Sequence, residues 1–96
     1  MKSMRVERLG KLFRAAANPK RIRIIKAVMA GSSSINDISM NTALPYKTIE
    51  RHLEILSSVG LIQKTRSGLM IDYDLNTNDK DIYHKTILQL INQVNY

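Results

Sequence analysis

The chain has 96 residues, 44% of them hydrophobic and 24% charged, with no cysteine and a formal net charge of +7. This length supports one domain with a single core, and the lack of cysteine excludes disulfides, thiolate metal sites and cysteine nucleophiles. The sequence contains no apolar run near the roughly 20 residues that cross a bilayer, and its basic start lacks the apolar stretch of a signal peptide. We therefore expect a soluble, cytoplasmic protein that makes no membrane contact.

The excess positive charge is concentrated near the N-terminus. Residues 1–26 contain nine Lys or Arg residues against one acidic residue, whereas residues 27–96 contain six against seven. Such a cluster either keeps a small protein in solution or attracts phosphate groups. The asymmetry favours the second interpretation, and a polyanionic partner of this kind is most often nucleic acid.

Two amphipathic helices are predicted before residue 31. The first carries an apolar stripe at helical intervals, which requires a partner surface. This stripe consists of Val6, Leu9, Phe13 and Ala16. Asn18 is expected to cap the second helix, with Pro19 at its first position and Gly31 just beyond its end. The buried stripe of the second helix is predicted to consist of Ile22, Ile25, Val28 and Met29.

A short helix, a turn and a second helix are predicted in the middle of the chain. Ile35 is expected to be extended, and Asn36 to cap a helix over residues 37–41. Residues 42–44 form the turn, and Pro45 begins the next helix because its fixed φ suits a first helical position. This spacing is typical of a helix-turn-helix.

The helix that begins near Pro45 and ends before Gly60 has an apolar and a polar face. The apolar face consists of Ile49, Leu53 and Leu56, with His52 beside them as a hydrogen-bonded structural histidine. The polar face, formed by Tyr46, Lys47, Glu50, Arg51 and Glu54, suits contact with base edges and phosphates in a DNA major groove.

Each polar side chain also has a local alternative. Lys47 and Arg51 could pair with the two glutamates on a solvated surface. Tyr46 could pack on the turn instead of reaching a phosphate, and Thr48 could hydrogen-bond the backbone. Arg21 could meet a phosphate or tie its helix to the rest of the fold.

After Leu61 the apolar period changes from helical to two, which predicts a β-hairpin over residues 61–75. Its tight turn is placed at Ser67-Gly68, with Arg66 at the tip. Helical spacing resumes at residues 79–94, where the terminal helix either docks on its own core or pairs with a second copy. Pairing is favoured because this helix is so apolar: it carries Tyr83, Ile87, Leu90 and Val94, with Ile82, Leu88 and Ile91 widening the stripe.

The sequence resembles the ArsR-type family of small dimeric transcriptional regulators from about Leu12 to Leu75. Residues 18–25, Asn-Pro-Lys-Arg-Ile-Arg-Ile-Ile, are similar to the opening signature of that family. Residues 48–56 and the Gly60-Leu61-Ile62 that follows resemble its recognition helix and the entry to its first wing strand. Tyr73-Asp74-Leu75 matches the Tyr-x-Leu that closes its wing.

The resemblance implies a mainly α (α+β) winged helix-turn-helix fold with a C-terminal dimerisation helix. It also implies a homodimeric repressor that binds double-stranded DNA, with half-sites roughly 34 Å apart. The resemblance implies that residues 46–48 and Arg51 on the recognition helix contact DNA, and that Arg66 contacts it from the wing. The exposed face of the helix adds Glu50, and the remaining predicted contacts are basic residues on other elements. The predicted DNA-binding residues are Tyr46, Lys47, Thr48, Glu50, Arg51, Arg66, Lys64, Lys20 and Arg21, and the predicted dimer interface is Leu9, Phe13, Tyr83, Ile87, Leu90, Ile91 and Val94.

Metal-sensing members of the family carry cysteines in the helix-turn-helix, or carboxylate and histidine ligands on the last helix. This chain has only Asp81 and His84 there, so no metal or cofactor is expected, and the sequence identifies no small-molecule effector. Enzyme activity is not expected either, because the chain lacks a glycine-rich phosphate loop, a nucleophile elbow and a clustered acid pair. A winged-helix protein-interaction module and a non-specific nucleic-acid-binding protein remain the alternatives.

Overall fold

The computed structural model describes residues 5–77 and 82–95, which form five helices and one hairpin. In chain order the elements are α1 (Val6–Ala16), α2 (Pro19–Met29), α3 (Ile35–Thr42), α4 (Tyr46–Ser58), β1 (Ile62–Ser67), β2 (Met70–Leu75) and α5 (Ile82–Asn92). The predicted order of four helices, a hairpin and a closing helix is therefore confirmed. None of the helices in these two ranges is long and apolar enough to span a membrane.

One apolar core joins all five helices and the base of the hairpin. Its fully buried members are the large aliphatic side chains Leu12, Ile24, Ile25, Ile38, Ile49, Leu53, Leu56, Leu61 and Ile62. Three of these lie on α4 at positions 49, 53 and 56, so the predicted apolar face of this helix is confirmed. The same burial forces the opposite face of α4 into solvent.

α1 docks on the core through a stripe displaced from the predicted one, of which only Leu9 and Ala16 pack against the core. Leu12 and Ala15 are its buried residues, whereas Val6 is 82% and Phe13 55% exposed. Periodicity alone does not decide which of two adjacent apolar stripes faces the core, since both recur at helical intervals. α1 therefore keeps a second apolar stripe in contact with solvent.

The cap of α2 follows the prediction. The Oδ1 atom of Asn18 accepts hydrogen bonds from the main-chain N–H groups of Lys20 at 2.9 Å and Arg21 at 3.2 Å. Pro19 is the first helical residue, as expected. The buried face also contains two residues that the prediction omitted, Ile24 and Ala27.

α3 begins earlier than predicted. Ser34 is its cap, with the Oγ atom accepting from the N–H of Asp37 at 3.1 Å, so the predictions of an Asn36 cap and an extended Ile35 are wrong. Serine caps a helix as well as asparagine does. A cap at Ser34, two residues before Asn36, also allows Ile35 to be buried in the core. α3 ends at Ala43, which is left-handed with φ of 59°.

The hairpin is antiparallel, and its residues pair from Ile62 with Leu75 at the base to Ser67 with Met70 at the tip. Its turn consists of Gly68 and Leu69, one residue later than predicted. Gly68 has φ of 63°, a conformation that favours glycine. Leu69 therefore lies in the turn and belongs to neither strand.

α5 docks on the core of its own chain. Ile87 and Ile91 are buried there, which corrects their assignment to a dimer interface. The side chain of Lys26 on α2 donates from Nζ to the last carbonyl groups of this helix, at Ile91 and Asn92, over 3.4 Å. The predicted residues 79–81 of this helix lie outside the described ranges.

The α4 core contact should dominate stability. We expect Leu53→Ala to lower the free energy of unfolding by about 2–5 kcal/mol, because it removes a fully buried side chain and leaves a cavity. Denaturant titration at one protein concentration measures this change. Met40→Ala is the matched control: Met40 is 85% exposed, so its loss should change the value by less than about 0.5 kcal/mol. Equal effects of both variants would contradict the described core.

Candidate nucleic-acid interface

The polar face of α4 carries its charges in two adjacent lines. Lys47 and Arg51 are exposed on the outermost side, directly opposite the buried residues. Glu50 and Glu54 lie one step around the helix, on the side that faces the hairpin. The cations of α4 therefore project furthest from the core, with a line of carboxylates between them and the hairpin.

A groove of about 470 Å³ separates α4 from the hairpin. Its walls include Tyr46, Glu50 and Glu54 on the helix side and Lys64 and Asp72 on the hairpin side. Three carboxylates against one lysine make this groove acidic.

Tyr73 also lines the groove, and the surroundings of its hydroxyl shift its pKa. Burial raises the pKa of Tyr73 above its usual value, and Tyr46, Glu50 and Glu54 raise it further by repelling the phenolate. Tyr73 is therefore a neutral hydroxyl at any physiological pH.

The hairpin is held beside the helix-turn-helix by a main-chain contact. The N–H of Tyr73 on β2 donates to the carbonyl of Ser33, in the loop before α3, over 2.8 Å. At the base of the hairpin the side-chain amide of Asn76 donates to the carbonyl of Gly60 over 2.8 Å. These contacts fix the position of the hairpin relative to α4. Sequence patterns did not reveal the first of them, because main-chain bonds between distant segments leave no signature in residue type.

Arg21 connects three helices. Its Nε atom donates to Nδ1 of His52 on α4 over 3.1 Å, and its Nη1 atom donates to the carbonyl oxygens of Arg14 and Ala15 at the end of α1 over 3.3 and 3.4 Å. Of the two alternatives for Arg21, the tie to the rest of the fold is the one observed. Its role as a phosphate contact stays a prediction, since these bonds use Nε and Nη1 of the guanidinium.

His52 is a hydrogen-bonded structural histidine, as predicted. Burial lowers the pKa of His52 below 6.5, and the positive charges of Arg21, Lys20 and Arg51 lower it further. Because Nδ1 accepts from Arg21, the neutral ring carries its proton on Nε2. The same effects place Lys20 and Arg51 each near His52, so positive charge from the start of α2 and from the outer side of α4 surrounds this histidine.

The remaining predicted residues are distributed as follows. Lys64 and Arg66 are both exposed on β1, whereas Thr48 is only partly exposed on α4. Within residues 5–77 and 82–95 there is no group of three or more residues suited to hold a metal ion.

His84 on α5 has a structural contact rather than an exposed ring. Its Nε2 atom donates to the carbonyl of Val59 over 2.7 Å, and the side chain is buried. A Cβ atom on Gly60 would lie 3.1 Å from the same nitrogen, and Gly60 has φ of 80°. Glycine is thus needed at this position both for its conformation and for the close approach of the ring.

Two helices joined by a tight turn, with a hairpin fixed at one side and a polar helix face left exposed, define a winged helix-turn-helix protein. Comparisons with known proteins identify the family of this domain. The sequence model of a family described as bacterial regulatory proteins of the arsR family matches residues 18–64. These residues include the capped α2, the helix-turn-helix and the start of β1. Residues 18–64 of the chain therefore match an ArsR-family helix-turn-helix domain.

Individual relatives agree with this assignment. The transcriptional repressor SdpR of Bacillus subtilis is 28% identical over 87 residues, which cover 91% of this chain and 93% of that protein. The HTH-type transcriptional regulator CmtR of Mycobacterium tuberculosis is 32% identical over 72 residues, or 75% of this chain, and the match spans 61% of that protein.

Solved structures show the same fold. A homodimeric winged helix-turn-helix DNA-binding domain from Mycobacterium bovis superposes with a TM-score of 0.74 at 20% identity, covering 94% of this chain and 86% of that one. HlyU from Vibrio cholerae gives 0.72 at 21% identity, covering 88% of each chain.

The bond between Arg21 and His52 should make stability depend on pH. Because the pKa of His52 is lowered in the folded chain, His52 becomes protonated just below pH 6.5 in the unfolded chain but stays neutral in the folded chain. The contribution of neutral His52 to the free energy of unfolding is therefore fully present above pH 6.5. It declines as the pH falls through the pKa that His52 has in the folded chain. We expect His52→Asn, whose amide oxygen still accepts from Arg21, to weaken this decline.

Denaturant unfolding of the two proteins at several pH values tests this expectation. The difference in unfolding free energy between wild type and His52→Asn should shrink or change sign as the medium becomes acidic. The comparison between the two proteins cancels the contributions of all the groups that both retain. A difference that stays constant over the whole range would contradict the described role of His52.

Proposed function

We propose that this protein is a homodimeric transcriptional repressor that binds double-stranded DNA sequence-specifically, with one α4 in each of two successive major grooves. The observation that carries this proposal is the exposed line of Lys47 and Arg51 on a helix whose other face is fully anchored in the core. A rigid helix with outward cations fits the major groove, which is wide enough to admit it. Half-sites would lie roughly 34 Å apart, one helical turn of DNA.

Each polar residue of α4 has a proposed role that follows from its position. Arg51, near the middle of the helix, contacts a guanine edge or a phosphate, and Lys47 contacts a phosphate one turn earlier. Glu50, at the side of the groove, accepts from the amino group of a cytosine. Tyr46 and Thr48, near the start of the helix, contact the backbone of the same half-site.

Basic residues on other elements hold the DNA backbone. Lys20 extends the positive patch beside His52, and Lys64 and Arg66 place two exposed cations on β1. Arg21 contributes indirectly, by fixing α4 through His52. These cations would supply the salt-dependent part of the affinity.

The second copy would dock on the solvent-exposed stripes of α1 and α5. Phe13 is 55% exposed on α1, and Leu90 is 66% exposed on α5. Tyr83 is also exposed on α5, Val94 is exposed just after the end of α5, and Leu9 is partly buried on α1. The Mycobacterium bovis neighbour of the same fold is a homodimer, which supports a homodimeric state for this protein.

The acidic groove favours a second candidate function, a winged-helix module that docks a basic segment of another protein. Glu50, Glu54 and Asp72 supply its charge. Measurement of DNA affinity at several salt concentrations and on different sequences separates the two functions. The first function requires DNA binding that weakens with added salt and depends on the DNA sequence, whereas the second requires neither.

Selection of bound sequences from a random duplex pool, followed by variants, tests the first function. An enriched inverted repeat is expected. On the enriched duplex, Arg51→Ala should weaken binding by about 1–3 kcal/mol, because it removes a base or phosphate contact. Lys85→Ala, an exposed cation on α5, is the control and should leave the affinity nearly unchanged. Equal losses for the two variants, or no enriched sequence, would argue against this function.

The dimer interface has a separate test. We expect Phe13→Asp and Leu90→Asp to convert a dimer into monomers, because each places a charge in an apolar contact. Sedimentation velocity measures the change. Met40→Asp serves as the control because Met40 is exposed on α3, away from α1 and α5. The interface is misplaced if both α1 and α5 variants sediment as wild type does.

A further inference from the structure

A cavity of about 380 Å³ lies between α1, the end of α4 and α5. Its lining combines two cations of α1, Arg8 and Lys11, with the last turn of α4 and with Gly60. We propose that this cavity binds a small organic anion, a carboxylate or a phosphate, whose oxygen atoms are held by Arg8 and Lys11. The site is separate from the polar face of α4, and it does not depend on the proposed function.

Arg8 lies on the side of α1 that turns toward the core. Arg8, Leu12 and Ala15 follow one another at intervals of four and three residues, so they share one face of the helix. Because Leu12 and Ala15 are buried, Arg8 extends the core-facing stripe by one turn, with Lys11 beside it. The two cations therefore border the cavity, whereas the exposed stripe that contains Phe13 faces another side of α1.

The protein does not neutralise these two cations within the described ranges. Glu7, the one acidic residue of α1, forms no ion pair with either of them, and neither cation hydrogen-bonds another described residue. The described residues that line the cavity include no aspartate or glutamate. Like charges three residues apart on a helix repel each other. A bound anion would remove this repulsion.

The end of α4 does not engage the two cations either. Carbonyl groups at the C-terminus of a helix attract positive side chains, but those of α4 accept other donors. The carbonyl of Ser57 accepts from the N–H of Gly60 over 3.1 Å. The carbonyl of Val59 accepts from Nε2 of His84 over 2.7 Å. The donors of the two α1 cations are therefore available to a molecule in the cavity.

Ser57 supplies a third polar group. It lines the cavity, and its Oγ atom is buried with no hydrogen-bond partner in the part of the chain that the structure describes. Ser57 also borders the acidic groove, but no described carboxylate there accepts from its hydroxyl. A buried hydroxyl without a partner destabilises a fold. An anion oxygen beside Ser57 would accept a hydrogen bond from this hydroxyl.

The volume and the lining define the class of ligand. Small-molecule sites have volumes of about 300–1,000 Å³, so this cavity suits a ligand near the small end of that range. The planar guanidinium of arginine matches the geometry of carboxylate and phosphate groups. Leu12 and Val59 add apolar surface beside the cations. The ligand would therefore carry a short apolar group next to its anionic end.

The backbone of a bound duplex is the alternative partner for these cations. Arg8 and Lys11 border a cavity between helices, whereas Lys47 and Arg51 project outward from α4. A small molecule that enters the cavity can approach both α1 cations from inside, which a rigid duplex cannot do. A small anion is therefore the favoured occupant.

Calorimetric titration of the full chain with three probes tests the site. The probes are phenyl phosphate, benzoate and benzamide, which share a ring and differ in charge and head group. The ionic strength is held constant, because a chain with a net charge of +7 attracts anions at many places. We expect both anions to bind and neutral benzamide not to bind. The anion that binds more tightly identifies the preferred head group.

Variants assign the binding to the cavity. Arg8→Gln and Lys11→Gln should each weaken binding of the preferred anion about tenfold or more, because each removes a charge-assisted hydrogen bond. Arg14→Gln is the matched control: it removes the same charge from α1, and Arg14 does not line the cavity. It should change the affinity less than about twofold. Thermal unfolding of all three variants without probe should match that of wild type, because the three side chains are exposed.

The four glycines of the chain locate the bound anion by nuclear magnetic resonance of a ¹⁵N-labelled sample. The N–H signal of Gly60, which lines the cavity, should shift as the anion is added. The signal of Gly10, which lies on α1 between the two cations, should shift with it. The signals of Gly31, between α2 and α3, and of Gly68, in the hairpin turn, should stay in place.

Three results would overturn the proposal. The first is the absence of binding by either anion to wild type. The second is an equal loss of affinity in Arg8→Gln and Arg14→Gln, which would show that the anions respond only to the net charge of the protein. The third is a smaller salt slope of DNA binding in Arg8→Gln and Lys11→Gln, together with no anion binding, which would assign both cations to the DNA backbone.

None of these results contradicts the proposed function. Conversely, failure of the protein to select a duplex sequence would leave the anion site intact, because calorimetry with the probes requires no DNA.

Discussion

The three hydrogen bonds of the Arg21 guanidinium are the interaction on which the arrangement of the helices depends. One group at the start of α2 joins the end of α1 to the middle of α4. α1 carries part of the proposed dimer surface and α4 carries the proposed DNA-binding surface. The two surfaces are therefore joined by one planar side chain, whose donors fit all three acceptors, in addition to the core that α1 and α4 share.

A second set of contacts extends this rigidity to both ends of the fold. Lys26 binds the last carbonyls of α5, and Tyr73 binds the loop before α3 through its main chain. α2 thus holds both α4 and α5, and the hairpin is held by the helix-turn-helix that it flanks. Movement of one protomer relative to its partner would carry its α4 along as part of one body.

The sequence predicted those features that depend on local chemistry. The Asn18 cap, the buried stripe of α4 and the structural role of His52 all follow from residue type and spacing, and the structure agrees with each. Local patterns did not decide between competing solutions of equal quality. Ser34 capped α3 in place of Asn36, and α1 turned Leu12 rather than Phe13 toward the core.

The limits of prediction at the site have the same origin. Residues of α4 were placed on the correct face, but the acidic groove depends on Asp72 and Lys64, which the fold brings opposite α4. Ile87 and Ile91 were predicted for a partner because apolar periodicity is identical for a helix that docks on its own core. In both cases the missing information is tertiary, since it concerns which surface lies next to which.

The arrangement of positive and negative side chains across α4 would determine the lateral position of this helix on a DNA duplex. A helix with cations on every exposed side would have a flat energy profile across a groove. Here, a displacement toward the hairpin side brings the carboxylates of Glu50 and Glu54 against phosphate oxygens, and the opposite displacement withdraws Lys47 and Arg51 from theirs. The electrostatic energy therefore has a single lateral minimum, and the glutamates centre the helix by repulsion, even where they touch no base.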